Sequence, residues 1–359
     1  MPPQVNITLS DRQLHFTLSN VDVSIANAIR RIALSDITTP VFQEKNMNFI
    51  TNTSRLHNEI LKQRLGCIPI HINDPDIKLE NYIVEIIKKN ESGSIEYVTT
   101  EDFKIKNIAN EKYLTEAQAQ KIFPRDPITK DFILFARLRP QITKDMPGEK
   151  IDIRAKMGTS NAKNNGMYNV VSTMTYSNTV DPVTQHQEWQ KYSKQLQKLE
   201  IDGETLALEK TNWENHQGKR YYMKNSFDFI VETVGNFTNE EIIKISCEIL
   251  MRRLQLIVKN KDLFSTKESQ NNLSNSFDII LKNEDYTIGK VIESILYHDY
   301  FLGTQKLSYV GFIKEHPHDT DSIIRISFVK ETPPDQIFPL IAECCLKGIE
   351  MYKHIMSSF

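Results

Sequence analysis

Apolar and polar residues alternate along VNITL (5–9) and again along LHFTL (14–18), a period of two that predicts paired short strands joined at the polar Ser10-Asp11. The period then changes. Ile25, Ala28, Ile29, Ile32 and Ala33 recur at helical spacing and form a narrow apolar stripe, with Ser24 as the expected N-cap. Asn27, Arg30 and Arg31 fall off that stripe. VFQEKNMNFI, after Pro40, reads as a strand, and Ser54 to Leu65 as a second helix with Leu56, Ile60 and Leu61 on one side, stopped by Gly66. CIPIHI reads as a further strand.

From about residue 71 to 220 the texture loosens. YIVEII, IEYVTT, FILFARL and KIDIRAK read as strands between polar loops, GTSNAKNNG as a polar connection, and QEWQKYSKQLQKLE as a largely solvated helix. Regular patterning returns with the strand FDFIVETVG and a long helix from Asn239 to about Val258, whose apolar positions are Ile242, Ile245, Ile249, Leu250, Leu254 and Leu256. Residues 259–275 are polar and aperiodic, which predicts a linker. Beyond them the opening pattern recurs: the strand FDIILKNED, a helix capped by Thr287 and bearing Ile288, Val291, Ile292, Ile295 and Leu296, the strand IIRISFV, and a final helix from Pro334 with Ile337, Leu340, Ile341, Cys344, Ile349 and Ile355. Strand–helix and strand–long-helix units therefore occur twice, a duplication of architecture rather than of sequence.

Neither unit closes a core alone. The stripe Ile25–Ile29–Ile32 has too little to pack on, and the C-terminal unit is small. Packing one against the other buries both helix sets, at about 25 cal/mol per Å² of apolar surface. The predicted shared interface comprises Ile25, Ile29, Ile32, Ile249, Leu254, Ile288, Val291, Ile292, Ile295, Leu340 and Ile341. A flexible linker of about 17 residues spans roughly 20–25 Å and holds the halves at millimolar effective concentration.

Charge and composition narrow the function classes. Net charge is −2 and charged residues make up 25% of the chain, so there is no basic surplus of the kind that dominates nucleic-acid binding. The runs KYSKQLQK and KIKNIANEK read as solvated faces. Four cysteines, Cys67, Cys247, Cys344 and Cys345, match no zinc spacing and read as reduced, buried small hydrophobes, with one of the adjacent pair partly exposed. The N-terminus lacks signal-peptide patterning and no apolar run approaches 18 residues, so the chain reads as soluble and intracellular.

Two blocks carry a family resemblance. LSNVDVSIANAIRRIALSDITTPVF and NTSRLHNEILKQRLGCIPI resemble the first dimerisation helix and the following block of the alpha-like subunits of multisubunit DNA-directed RNA polymerases. ILFARLRP and IDIRAKMGT echo that family's insert domain, and FDFIVETVGNFTNEEIIKISCEILMRRLQ its returning half. SFDIILKNEDYTIGKVIESIL, with YVGFIKEHPHD after it, is similar to the smaller alpha-like partner. The resemblance implies an α+β chain: a larger dimerisation domain (1–72 and 221–258), split by an insert of mixed α/β character (73–220), a linker (259–275) and a fused smaller dimerisation domain (276–359). It departs from the family at Lys290, where an asparagine is usual, and in lacking any cysteine between Cys67 and Cys247 for an insert-domain metal centre.

The same resemblance implies function. The chain would be a non-catalytic platform that needs no cofactor or metal. It would dock the beta-like large subunit, then the beta-prime-like one, with a small subunit nearby, and would contact neither membrane nor specific DNA sequence. Asn27, Arg30, Arg31, Glu59, Arg64, Arg139 and Lys156 are the docking candidates, arginine suiting interfaces through its planar, weakly hydrated fork. Arg30, Arg31 and Arg64 read singly are each equally a solvated side chain, or a partner of Glu59 or Asp36. The head-to-tail fusion resembles the asfarvirus polymerase, which implies a viral protein of the host cytoplasm and virion. Three alternatives stand beside this one: an enzyme, for which His316, His318 and Asp319 offer a weak metal-ligand set; a nucleic-acid-binding module; and a stand-alone mimic or regulator of the platform.

Overall fold

A computed structural model of the chain describes residues 2–10, 12–72, 77–143, 147–198, 202–260, 264–269 and 274–359. It opens with β1 (Gln4–Ser10), β2 (Leu14–Ser19), α1 (Val23–Ser35), β3 (Thr39–Asn52) and α2 (Asn58–Gly66). Next come β4 (Tyr82–Lys89), β5 (Glu96–Thr99), β6 (Phe103–Asn107), β7 (Lys112–Tyr113), α3 (Glu116–Ile122), β8 (Leu134–Leu138) and β9 (Lys150–Ser160). Then follow β10 (Val171–Val180), α4 (Pro182–Gln197), α5 (Gly203–Asn215), β11 (Tyr222–Thr233) and α6 (Asn239–Lys259). The last third holds β12 (Phe264–Glu268), β13 (Ser276–Leu281), α7 (Tyr286–Leu296), β14 (Leu307–Ile313), β15 (Ser322–Phe328) and α8 (Ile337–Met356).

Contacts group these elements into two compact units. One comprises Met1–Ile32, Thr173–Glu232 and Ile243–Phe359; the other comprises Ala33–Ser172 and Thr233–Ile242. The compact units therefore divide at 32/33, 172/173, 232/233 and 242/243. The reason lies in β3, which pairs along its length with β9 and so joins residues 39–52 to the unit formed by the middle of the chain.

The first unit contains two four-stranded sheets of one plan. Their strand orders are β1-β2-β11-β10 and β12-β13-β15-β14. In chain order each set runs hairpin, helix, two strands, long helix: β1–β2, α1, β10, β11, α6 and then β12–β13, α7, β14, β15, α8. The segment read from sequence as a linker supplies β12, which pairs antiparallel with β13 and occupies the place that β1 has in the first sheet. Residues 261–263 and 270–273 of that segment lie outside the described residues. β14, missed in the sequence, pairs with β15 through a bulge at Leu307/Tyr309, an irregularity that breaks the period-two signal.

One face of each sheet is buried, as the alternation in β2 (Leu14, Phe16 and Leu18 inward) predicts. Phe16 stacks on Phe229 at 4.8 Å, and the ring of Phe359 meets it edge-on at 4.9 Å, so the far end of the chain packs against the first sheet. Between β10 and β11, α4 and α5 form a hairpin with its own small core of Trp189, Leu196 and Trp213. The expected solvated helix thus buries one face.

Gly289 of α7 is fixed by a close approach: a Cβ there would lie 1.9 Å from the Phe312 ring of β14. Gly289→Ala is expected to destabilise the protein by about 1–3 kcal/mol through overpacking, measured as a lower urea midpoint with an unchanged slope.

The second unit is built on a five-stranded sheet, β3-β9-β4-β6-β7, beside the β5-β8 pair. Val84, Ile86, Phe103, Ile105, Ile151, Ile153, Ala155 and Met157 point into one core with Leu61 and Leu65 of α2. α2 begins at Asn58, not Ser54, because Asn52 Oδ1 accepts from both the backbone and hydroxyl of Ser54 and holds that stretch in a turn. Its apolar side is Leu61 and Leu65, while Ile60 is exposed. Gly66 is the last residue of α2 and is required by a close approach rather than by left-handed geometry, a Cβ there lying 2.6 Å from Met167 Sδ. CIPIHI buries Ile68 and Ile70 but forms no strand, and Pro69 removes one of the donors a ladder would need.

Candidate assembly interface

α1 and α7 meet inside the first unit. Asp22 precedes α1 and its Oδ1 accepts from Ser24 N at 2.8 Å, so Asp22 is the cap expected at Ser24. Ser24 Oγ instead donates to Ser294 Oγ of α7 at 2.7 Å. Two turns on, Arg31 Nε donates to Thr287 Oγ1 at 2.8 Å and its Nη2 to Asp285 Oδ2 at 2.9 Å. Asp285, not Thr287, caps α7: its Oδ1 accepts from Thr287 N. His298, just past α7, lies 3.5 Å from Asp22 Oδ2.

α6 also joins the C-terminal elements. The Arg253 fork reaches Glu284 at 3.2 and 2.5 Å, with both side chains largely buried. Near the middle of α8, a Cβ on Gly348 would stand 3.0 Å from Leu254, 3.6 Å from Ile295 and 3.7 Å from Val291, so three helices converge there on a residue without a side chain.

The predicted interface residues differ in burial. Ile25, Ile29, Ile32, Leu254, Ile288, Val291, Ile292, Ile295 and Ile341 are buried, and Ile249 and Leu340 partly so. Leu256, expected on the apolar side of α6, is 49% exposed. Cys247, Cys344 and Cys345 are all buried, including both members of the adjacent pair, and burial pushes the Cys345 thiol up to about 12. Cys67 is exposed.

The docking candidates divide. Arg31 is committed to Asp285 and Thr287, so its fork is turned toward α7. Arg30 Nε donates to Asn27 Oδ1 at 2.9 Å, a partner one turn earlier on α1. In the second unit, Arg64 donates to the carbonyls of Phe135 and Leu134, both at 2.7 Å, and Arg139 pairs with Glu149. Glu59 holds His57 Nδ1 at 2.8 Å on the surface of α2, and Lys156 is exposed on β9. His316, His318 and Asp319 form a turn whose carboxylate and ring nitrogen accept from backbone amides. Among the described residues no group of three or more His, Cys, Asp or Glu side chains could hold a metal, and no helix is long and apolar enough to cross a membrane.

Asp22, Asp285, Glu284 and Arg253 were not singled out from the sequence. The spacing Asp285-x-Thr287 at a helix start was the available signal for one of them.

Burial alone would raise the Asp285 carboxyl, but hydrogen bonds from Thr287 and the charges of Arg31 and Arg253 outweigh it and hold the group below its ordinary value. A depressed folded value means stability that is present above the ordinary carboxylate range and lost as pH falls through the folded one. Urea denaturation at pH 6 and pH 3 should therefore show a smaller acid loss in Asp285→Asn than in the parent protein. Equal losses would remove Asp285 from the acid response.

Residues 15–254 match the family model described as the RNA polymerase Rpb3/Rpb11 dimerisation domain. The chain is 26% identical to the DNA-directed RNA polymerases I and III subunit RPAC1 of Saccharomyces cerevisiae, with 71% of this chain and 86% of that protein covered. It is 24% identical to the DNA-directed RNA polymerase subunit Rpo3 of Pyrococcus horikoshii, covering 68% and 92%. Bovine RPAC1 is 23% identical over 71% of this chain and 83% of its own length.

Proposed function

The chain belongs to the RNA polymerase Rpb3/Rpb11 dimerisation-domain family, and on that premise we propose that it is a non-catalytic assembly subunit of a DNA-directed RNA polymerase whose two alpha-like halves pair within one chain. The observation that carries this reading is the repeated plan of the first unit. Residues beyond the matched stretch rebuild the hairpin, helix, strand pair and long helix of the first half, with the same strand order. α1 and α6 of one half then meet α7 and α8 of the other through Arg31–Asp285, Ser24–Ser294, Arg253–Glu284 and the contact at Gly348.

In this reading the paired halves form the platform on which the beta-like subunit docks first and the beta-prime-like subunit second, beside a small subunit. Asn27 and Arg30 are the docking residues on α1; Glu59, Arg64, Arg139 and Lys156 are those of the second unit. Arg31 serves the pairing rather than the docking. One chain fixes the halves at one to one, an economy suited to a large DNA virus that transcribes in the host cytoplasm and carries its polymerase in the virion. No step of RNA synthesis is assigned to a residue of this chain.

Affinity purification of the tagged native protein at moderate salt tests the proposal. Co-recovery of two much larger subunits, with template-dependent RNA synthesis in the eluate, is the expected result. Recovery alone or with unrelated proteins would instead make the chain a free-standing mimic or regulator.

A further inference from the structure

The outer face of the second unit's sheet does not have the uniformly polar character usual for the solvated side of an antiparallel sheet. Register places Lys156 of β9, Ile83 of β4, Lys106 of β6 and Tyr113 of β7 in one row across the strands. The neighbouring row is Arg154, Glu85 and Lys104. Ile87 and Tyr113 are 47% and 52% exposed, and Lys106 lies over the Tyr113 ring at 5.8 Å. Among the described residues none of Lys104, Lys106 and Lys156 is in an ion pair. On the strands themselves the carboxylates are sunk, Glu85 and Asp152 side chains being 13% and 15% exposed with Glu85 accepting from Tyr113 Oη at 2.8 Å, while Glu101 and Glu116 border the face beside Lys104 and Tyr113.

We propose that this face docks an acidic amphipathic helix of a partner protein. Strands lie about 4.8 Å apart, so Lys156, Ile83 and Lys106 present cation, apolar side chain and cation over roughly 9.5 Å. A helix laid along that row offers side chains at i, i+3 or i+4, and i+7 over about 10.5 Å. Glutamate, leucine and glutamate at those positions meet lysine, isoleucine and lysine in turn, while Ile87 and Tyr113 add apolar contact. A nucleic-acid backbone fits less well, because evenly spaced phosphates would leave the exposed Ile87 and the Ile83 between the lysines without an apolar partner. The surface shares Lys156 with the docking residues proposed above, and the peptide test below reads this face without requiring that reading.

The test uses the full chain and a fluorescent alanine-based helical peptide with glutamates at i and i+7 flanking leucines at i+3 and i+4, read by anisotropy. Combining Lys104→Glu, Lys106→Glu and Lys156→Glu should weaken binding by at least about tenfold (1.4 kcal/mol), whereas Lys191→Glu, Lys194→Glu and Lys210→Glu on α4 and α5 should change it less than about twofold. The glutamine versions of the first three substitutions serve if charge reversal disturbs the thermal melt. Equal losses in both sets, or none in either, would overturn the proposal. So would tighter binding of an oligothymidine strand that displaces the peptide, which would assign the face to nucleic acid.

Discussion

Ile292→Asp is expected to abolish folding of the unit that contains α7. Ile292 is completely buried, on a helix whose inward residues Val291 and Ile295 approach Gly348 of α8. An aspartate there brings a charge without a counter-ion into an apolar site. It must either remain ionised at a large desolvation cost or take up a proton and stay unsatisfied. Such changes belong to the class that costs more than about 4–5 kcal/mol, comparable with the whole stability of a domain. Ile292→Val, which removes one methyl, should cost only about 0.5–1.5 kcal/mol and serves as the matched control. Soluble yield and urea denaturation report the difference. An aspartate variant that stays monodisperse and retains its partners would show that α7 is not part of the structural core.

The second large effect is expected at Arg253. Its fork holds Glu284, and the two side chains are 16% and 14% exposed, so this pair is screened far less than the surface ion pairs. Arg253→Met leaves the Glu284 carboxylate buried without that counter-charge and should cost about 3 kcal/mol. Arg253→Met combined with Glu284→Leu should recover most of the loss, since replacing a buried pair by apolar groups is often near neutral. A double variant as unstable as the single one would mean that the pair contributes more than mutual neutralisation. The Arg31–Asp285 pair, with side chains 37% and 33% exposed, should matter less.

The elements most legible in the sequence were those with one dominant period. The stripes of α1, α6, α7 and α8 were read at helical spacing, and most of their predicted inward positions are buried. β2, β11 and β13 showed the alternation of strands with one covered face. Failures came where another force set the local structure. β12 is short and polar because it is an edge strand held by backbone pairing to β13, so composition made it resemble a linker. The bulge hid β14, and Pro69 and the Asn52 turn cut short the expected strand and helix around α2.

Both expected caps lie two residues past the true ones for a common reason. Ser24 and Thr287 are good capping residues, but an aspartate two positions earlier takes the backbone amide in each case. The hydroxyls are thereby released to bond across the α1–α7 contact. Periodicity reveals which residues face inward, not which polar side chains cross to a distant helix. Arg31 illustrates the limit: its position off the apolar stripe suggested an outward role, yet its partner lies 254 positions along the chain.

Native-state hydrogen exchange on Leu254→Ala, compared with the parent chain, tests most directly whether the two halves share one core. Leu254 belongs to α6, in the first half, and its methyl meets α8 at Gly348. The cavity should cost about 2–5 kcal/mol, and amides of α7 and α8 should lose protection together with those of α6. Faster exchange confined to α6 and its own sheet, with α7 and α8 unchanged, would contradict the pairing on which the platform rests.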